Sequence, residues 1–319
     1  IIMALTVLMA LAVSAVTGEI YGTETYPVTW KMLDVIDNVY SFFILVLIFL
    51  FSGILLNRAQ TDRINLLVDA TATPNWVLYF SKYIALVKMV ITISLVGVLS
   101  GVTYQSYNGY YNFELGLYLK QLLGLQLLSY LVLIPFAMCI QSFLKNYMAG
   151  FMVCLLSTIL FPLLPKIGIE QSIFIFNRDV GFSYSDMNGF GNLNEYFTYR
   201  LYWLFFAFIL TIITIIFYKR GIVSSVKERF LVAKKRFKPS LYIPLILAIM
   251  AFVSLGYTIY YQNNVLEKYI SAKDREQQNV DYEKKYKRYS IIKQPRIIDT
   301  KVDMDIFPDS RDYKAKVTY

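Results

Sequence analysis

Long apolar runs separated by short polar stretches organise this chain. Seven runs reach or approach the roughly 20 residues that an α-helix needs to cross a bilayer. They lie at 1–17, 39–57, 83–104, 121–144, 147–165, 200–218 and 241–261. Only a short link around Lys145 and Asn146 joins the fourth and fifth, which predicts a helical hairpin. The pattern then changes twice. Residues 263–294 are charged and rich in helix formers, with i,i+4 pairs such as Asp281 with Lys285 and Glu283 with Lys287, so an exposed, membrane-proximal helix is expected. From 295 the polarity alternates. Ile298, Thr300, Val302, Met304 and Ile306 fall on one side and Asp299, Lys301, Asp303 and Asp305 on the other. A PDSRD turn and a second alternating run, YKAKVTY, complete a β-hairpin. A lone hairpin is marginal in water, so 295–319 is read as the start of a β-domain.

Basic residues orient the spans. The stretch 219–240 carries Lys219, Arg220, Lys227, Arg229, Lys234, Lys235, Arg236 and Lys238 against one acid, Glu228. This is the strongest cytoplasmic marker in the chain. Alternation places Arg58, Arg63, Lys82 and Lys145 on the same side. Lys31, Lys120, Lys166 and Arg178 fall outside, with Arg200 at a boundary. The expected topology starts inside, crosses seven times and puts the C-terminus outside. Trp30 and Trp203 are then expected in the outer aromatic belt and Trp76 in the inner one. Lys88, within the third run, can snorkel to the cytoplasmic surface.

Composition agrees and narrows the chemistry. Of 319 residues, 57% are hydrophobic and 17% aromatic, a balance that fits a polytopic membrane protein and not an ordinary soluble domain. The formal charge of +9 is explained by positive-inside loops, and no nucleic-acid partner is expected. There is no histidine, which removes the common zinc sites, the Ser-His and Cys-His pairs and the usual general base. Cys139 and Cys154 lie in apolar runs and read as small core residues. No catalytic, cofactor-binding or metal-ligating residue is assigned. No G-x-x-x-x-G-K-[ST] phosphate loop occurs either, so ATP could be used only on a partner subunit.

Two polar stretches stand out. In the loop between the second and third runs, residues 61–70 can form a short amphipathic helix. Ile64, Leu67 and Val68 share its apolar face, with Arg58, Asp62, Arg63 and Asp69 around it. Thr73 and Pro74 then give an N-cap and N1 signal for a long helix. The second stretch, GFSYSDMNGFG (181–191), combines glycines suited to positive φ with Asp186 and Asn188, which favour Asx turns. Tyr184, Ser185, Asp186, Asn188, Gly189 and Gly191 are its marked residues. A structural loop is the expected reading, beside a substrate gate. A metal site using Asp179, Asp186 and Asn188 offers too few oxygens for a calcium loop.

The order of elements around the 57–76 loop resembles the permease subunits of type-2, export-class ABC transporters. Their corresponding loop carries a coupling helix that docks on the ATPase. GYYNFELGLYLKQLLG (109–124), YSDMNGFG (184–191), YRLYW (199–203) and SAKDREQQNVDYEKKYKRY (271–289) resemble, in that order, a family in which such a permease is fused to an aminopeptidase N-like zinc metallopeptidase. The resemblance implies an all-α polytopic permease domain (1–262), a membrane-proximal helix (263–294) and the start of an extracytoplasmic β-domain (295–319). It implies an ABC ATPase partner, a second permease half or homo-oligomer, and a bacterial inner membrane. It also implies zinc in a peptidase domain beyond these residues. The H-E-x-x-H helix of that peptidase is not in this sequence, so no peptidase activity is assigned to this chain. The alternative is a membrane anchor for an aminopeptidase-like enzyme, or a structural subunit of an envelope complex without transport.

Overall fold

A computed structural model describes residues 26–144, 146–220, 226–266, 269–292, 296–307 and 312–319. Among these residues six helices are long and apolar enough to cross a membrane, and the chain is a mostly α-helical, multi-pass membrane protein. The predicted first span, 1–17, lies outside the described residues. The helices are α1 (Thr29–Thr61), the short α2 (Asn65–Ala70), α3 (Asn75–Tyr107), α4 (Leu115–Phe143), α5 (Tyr147–Ile167), α6 (Asn194–Ile216), α7 (Val226–Arg236) and α8 (Pro239–Leu266). The α4–α5 hairpin is present, with the Asn146 side chain capping α5 through Met148 N at 2.9 Å. Several spans outrun their apolar runs. α1 begins ten residues before residue 39, because Met32, Leu33 and Ile36 are buried against neighbouring helices.

α4 sits at the centre, in contact with α1, α3, α5 and α6, while α8 packs on α6. It departs from α geometry at Lys120–Gln126, a π-helical stretch, and carries Pro135 in its interior. Lipid is as apolar as leucine, so helices in a membrane are held by close fit and by polar bonds. Both are visible here. α3 meets α1 through Gly97 and Gly101. A Cβ on Gly97 would lie 3.1 Å from Ile36, and one on Gly101 would lie 2.6 Å from the Tyr118 hydroxyl. That hydroxyl donates to Gln105 Oε1 at 3.0 Å, and Gln105 Nε2 donates to Pro27 O at 2.9 Å, tying α3, α4 and the start of α1. A second seam holds Gln141 of α4 in a slot between Gly53 of α1 and Gly150 of α5. Its Nε2 donates to Phe49 O at 3.2 Å and Tyr147 O at 3.3 Å. Cys139 and Cys154 are buried free thiols, as their apolar setting predicts.

The residues from Tyr269 onward form a separate unit. It holds α9 (Ala272–Tyr286), β1 (Lys301–Phe307) and β2 (Asp312–Thr318). Ser271 caps α9 by accepting from Asp274 N at 3.1 Å. The expected Glu283–Lys287 pair is present at 3.6 Å, whereas Asp281 accepts from Gln277 instead. The antiparallel register sets Val302 opposite Val317, Met304 opposite Ala315 and Ile306 opposite Tyr313. The other face pairs Asp303 with Lys316 and Asp305 with Lys314. Both strands are exposed along their length.

Gly150→Ala places a methyl group inside the Gln141 side chain. Overpacking of this kind costs about 1–3 kcal/mol. The substitution is expected to lower the melting temperature in detergent, and Gln141→Ala in the same chain is expected to remove most of the loss. Equal destabilisation by Gly150→Ala in both backgrounds would refute the slot.

Candidate functional site

Three connections gather at one end of the bundle: the α1–α3 loop, the α4–α5 link and the segment after α6. α1 stops at Thr61 because Arg63 takes a left-handed conformation, φ 57°. Arg63 N then donates to Gln60 O at 3.2 Å and Ile64 N to Ala59 O at 3.0 Å, the paired bonds of a Schellman C-cap. The predicted helix over 61–70 therefore forms only as Asn65–Ala70. Its faces also differ from expectation. Val68 is half-buried, and it and Ile64, itself 44% exposed, border a cavity of about 260 Å3 with Leu55, Leu78 and Tyr218. Leu66 and Leu67 point away and are 57% and 74% exposed. Arg58 and Asp62 pair on the surface at 3.4 Å. The Asp69 side chain lies outside the described residues. Pro74 is the N-cap of α3, one position earlier in the helix than predicted.

Basic side chains wire this loop to the spans. Arg220 donates to Thr73 O at 2.8 Å, to Asn75 Oδ1 at 3.4 Å and to Thr71 O. Lys82 bonds the Tyr218 hydroxyl, and Lys219 bonds Leu144 O on the α4–α5 link. Arg236 donates to Tyr218 O at 2.5 Å and Ile216 O at 3.2 Å, closing the C-terminus of α6. The loops grouped by their charge thus meet at one end. Trp76 is exposed there, as a belt residue would be, and Lys88 is exposed on α3.

At the opposite end, residues 172–181 are strapped across α4 and α6. Arg200 is 7% exposed and forms an ion pair with Asp179. Its Nη1 donates to Asn177 Oδ1 at 2.7 Å, and Asn177 Nδ2 donates to Ser129 Oγ at 3.0 Å. Trp203 is buried and its Nε1 donates to Arg178 O at 2.8 Å. This corrects one sequence reading. Trp203 is buried and so is no lipid-facing belt residue, and Arg200, near the start of α6, turns inward to hold the strap. Asp179 is committed to Arg200 and not offered to a cation.

The marked loop closes on its own backbone. Ser185 N donates to Gly189 O at 2.9 Å, Asn188 N to Ser185 O at 3.2 Å and Gly191 N to Asn188 O at 3.0 Å. Gly189 and Gly191 have φ of 57° and 61°. Asp186 and Asn188 are exposed at its tip, while Tyr184 packs on Phe190 at 5.2 Å and Phe182 on Tyr196 at 5.4 Å. Aromatic rings thus dock a loop that is closed by its own backbone hydrogen bonds.

Beneath the strap lies a cleft of about 530 Å3 between α1, α4 and α5. Toward the strap its lining is polar, with Ser41, Gln126, Ser129, Tyr130 and Asn177, and further along α1 and α4 it turns apolar with Phe49, Leu133 and Phe136, joined by Phe161 of α5. Ser41 Oγ donates to Asp37 Oδ1 at 2.9 Å and accepts from Gln126 Nε2 at 2.9 Å and Tyr130 OH at 3.4 Å. Gln126 also donates to Asp37. The π-helical stretch ends at Gln126, and such local rewinding recurs at functional sites. Sequence reasoning missed this cluster, although an aspartate just before an apolar run was its signal.

No protein family, curated protein or solved structure matches the chain.

Arg200 and Asp179 form a pair whose halves cannot be removed singly without leaving a buried charge. Asp179→Asn is expected to destabilise the fold by about 3–5 kcal/mol, and Asp179→Leu with Arg200→Leu by clearly less. A thermal-shift double-mutant cycle checks this. Additive losses would show that the pair does not couple. Arg63→Gly relieves a left-handed non-glycine residue and is expected to stabilise by about 1 kcal/mol, read by the same assay.

Proposed function

We propose that the chain is the membrane-spanning permease subunit of an ABC-type transporter, driven by a separate ATPase that docks on the α1–α3 loop. One observation carries this reading. α2 presents Leu66 and Leu67 away from the bundle while its loop is hydrogen-bonded to the end of α6 through Arg220. A helix offered to a partner and tied to the spans suits the transmission of force. A helix lying passively on lipid needs no such ties. The cleft, lined by both polar and apolar side chains, supports a path for a solute, which a simple anchor would not require.

In this reading Leu66 and Leu67 enter a groove on the ATPase, and Arg58, Asp62 and Arg63 set register at its rim. Val68 and Ile64, bordering the cavity beside Leu55 and Leu78, fix the angle of α2. ATP is bound and hydrolysed on the partner. A second permease half or a second copy of this chain completes the path. The basic end is cytoplasmic and the strap end extracytoplasmic, in a bacterial inner membrane. The unit from Tyr269 leads into the extracytoplasmic aminopeptidase-like domain, where zinc would reside.

Leu67→Asp puts an unpaired charge into the contact and is expected to weaken ATPase binding by about 2 kcal/mol or more, roughly thirtyfold. Asp62→Ala, at the rim, is expected to change it little. Co-purification in mild detergent with mass spectrometry reads both. If no nucleotide-binding subunit accompanies the wild type, or if it stays with Leu67→Asp, the anchor reading replaces this one. Sidedness is tested separately. An impermeant maleimide on intact spheroplasts is expected to label Asp186→Cys and spare Leu66→Cys, and the reverse pattern would invert the map.

A further inference from the structure

A further cavity, of about 470 Å3, lies between α3, α6 and the start of α8 at the basic end. Its lining is graded along the spans. Trp76 from the first turn of α3, Ser240 from the first turn of α8, and Arg236 and Lys238 form the rim. Four residues further along each helix, about 6 Å at the helical rise, the walls become Phe80 and Pro244, and Phe208 faces them from α6. Trp76 is 55% and Phe208 43% exposed, so the cavity opens sideways where hydrocarbon surrounds the bundle. The lining holds two cations and, among the described residues, no acid.

Each part of that gradient has a counterpart in one ligand. An apolar slot open to the side fills with an acyl chain, since nothing else at that depth is apolar and mobile. Cations where the spans end meet the phosphate layer, and basic pockets between membrane helices select anionic head groups. Trp76 suits the boundary between the two zones. Arg236 is held in place by its bonds to Tyr218 O and Ile216 O, so its charge is fixed at the rim. α7 continues the surface. It rests on α6 through Ala233 and through Phe230 against Phe217 at 5.2 Å. Leu231, Lys234 and Lys235 on the same helix are exposed, the mix of an interfacial basic helix.

We propose that this cavity binds one anionic phospholipid, its phosphate at Arg236 and Lys238 and an acyl chain along Phe80 and Phe208. The site does not depend on the ATPase reading, since its lining includes neither Leu66 nor Leu67 and it needs no nucleotide.

The test uses the full chain in mild detergent, with native mass spectrometry after incubation with phosphatidylglycerol or with phosphatidylcholine of the same acyl chains. One phosphatidylglycerol is expected to remain bound under conditions that strip phosphatidylcholine. Lys238→Glu is expected to reduce that retention at least tenfold and Lys238→Gln to reduce it severalfold. Lys120→Glu, on the exposed start of α4 at the other end, is expected to leave it unchanged. Replacing Lys234 and Lys235 together by Gln is expected to spare the single tight lipid. Equal retention of the two lipids, or retention insensitive to both Lys238 variants, overturns the proposal. So does loss of the tight lipid on the Lys234 and Lys235 replacement without loss at Lys238. Displacement by millimolar inorganic phosphate or glycerol phosphate alone would assign the site to free phosphate and also overturn it.

Discussion

Inside a bilayer the hydrophobic effect does not hold one helix against another, and this constraint shapes the bundle. Affinity has to come from backbones that approach closely and from polar groups with no water to satisfy them. Gly53, Gly97, Gly101 and Gly150 supply the first. Gln105, Tyr118, Gln141 and the Tyr79 hydroxyl, which meets Thr211 Oγ1 at 3.0 Å, supply the second. The two devices coincide, because the glycines open the space that the polar side chains fill. α4 carries Tyr118, Gln121, Gln126 and Gln141, so its central position is a consequence of where the polar groups are.

The two ends use charge differently. At the basic end Arg220, Lys219 and Arg236 donate to backbone carbonyls at helix ends and in the α1–α3 loop, and so join segments that are far apart in sequence. At the other end a single guanidinium, Arg200, is buried with its counter-charge and fixes the 172–181 strap. The first arrangement tolerates sliding among several acceptors. The second has one fork, one carboxylate and one amide, and it either holds or releases. Any opening of the cleft beneath the strap has to break or carry along that set.

The spans were legible because sustained apolar length has few other meanings. The hairpin and the Glu283–Lys287 pair were legible because they depend on local spacing. Trp203 was misread for a definite reason. At the head of an apolar run it looks like an interface residue, and only the fold brings Arg178 to it, as it brings Asp179 to Arg200. α2 was drawn too long because its start is set by a left-handed Arg63, where a glycine would have given the stop away. Ile64, Leu67 and Val68 share a face on a helical projection, yet Ile64 precedes the helix and borders a cavity that Leu67 does not line. The glycines four apart at 97 and 101 and the lone Gln141 in an apolar run were visible signals, but their partners on other helices were not.

α1 and α3 each run for 33 residues, about 50 Å at the helical rise, against roughly 30 Å of hydrocarbon. Polar residues mark both ends of the pair, with Asp34 and Asp37 near the start of α1, Arg58 and Gln60 near its end, and Lys82 and Lys88 in the first half of α3. An excess of this size is taken up by tilt or by helix ends that stand beyond the hydrocarbon. Bilayer thickness therefore bears on these two helices before it bears on α6, which has 23 residues.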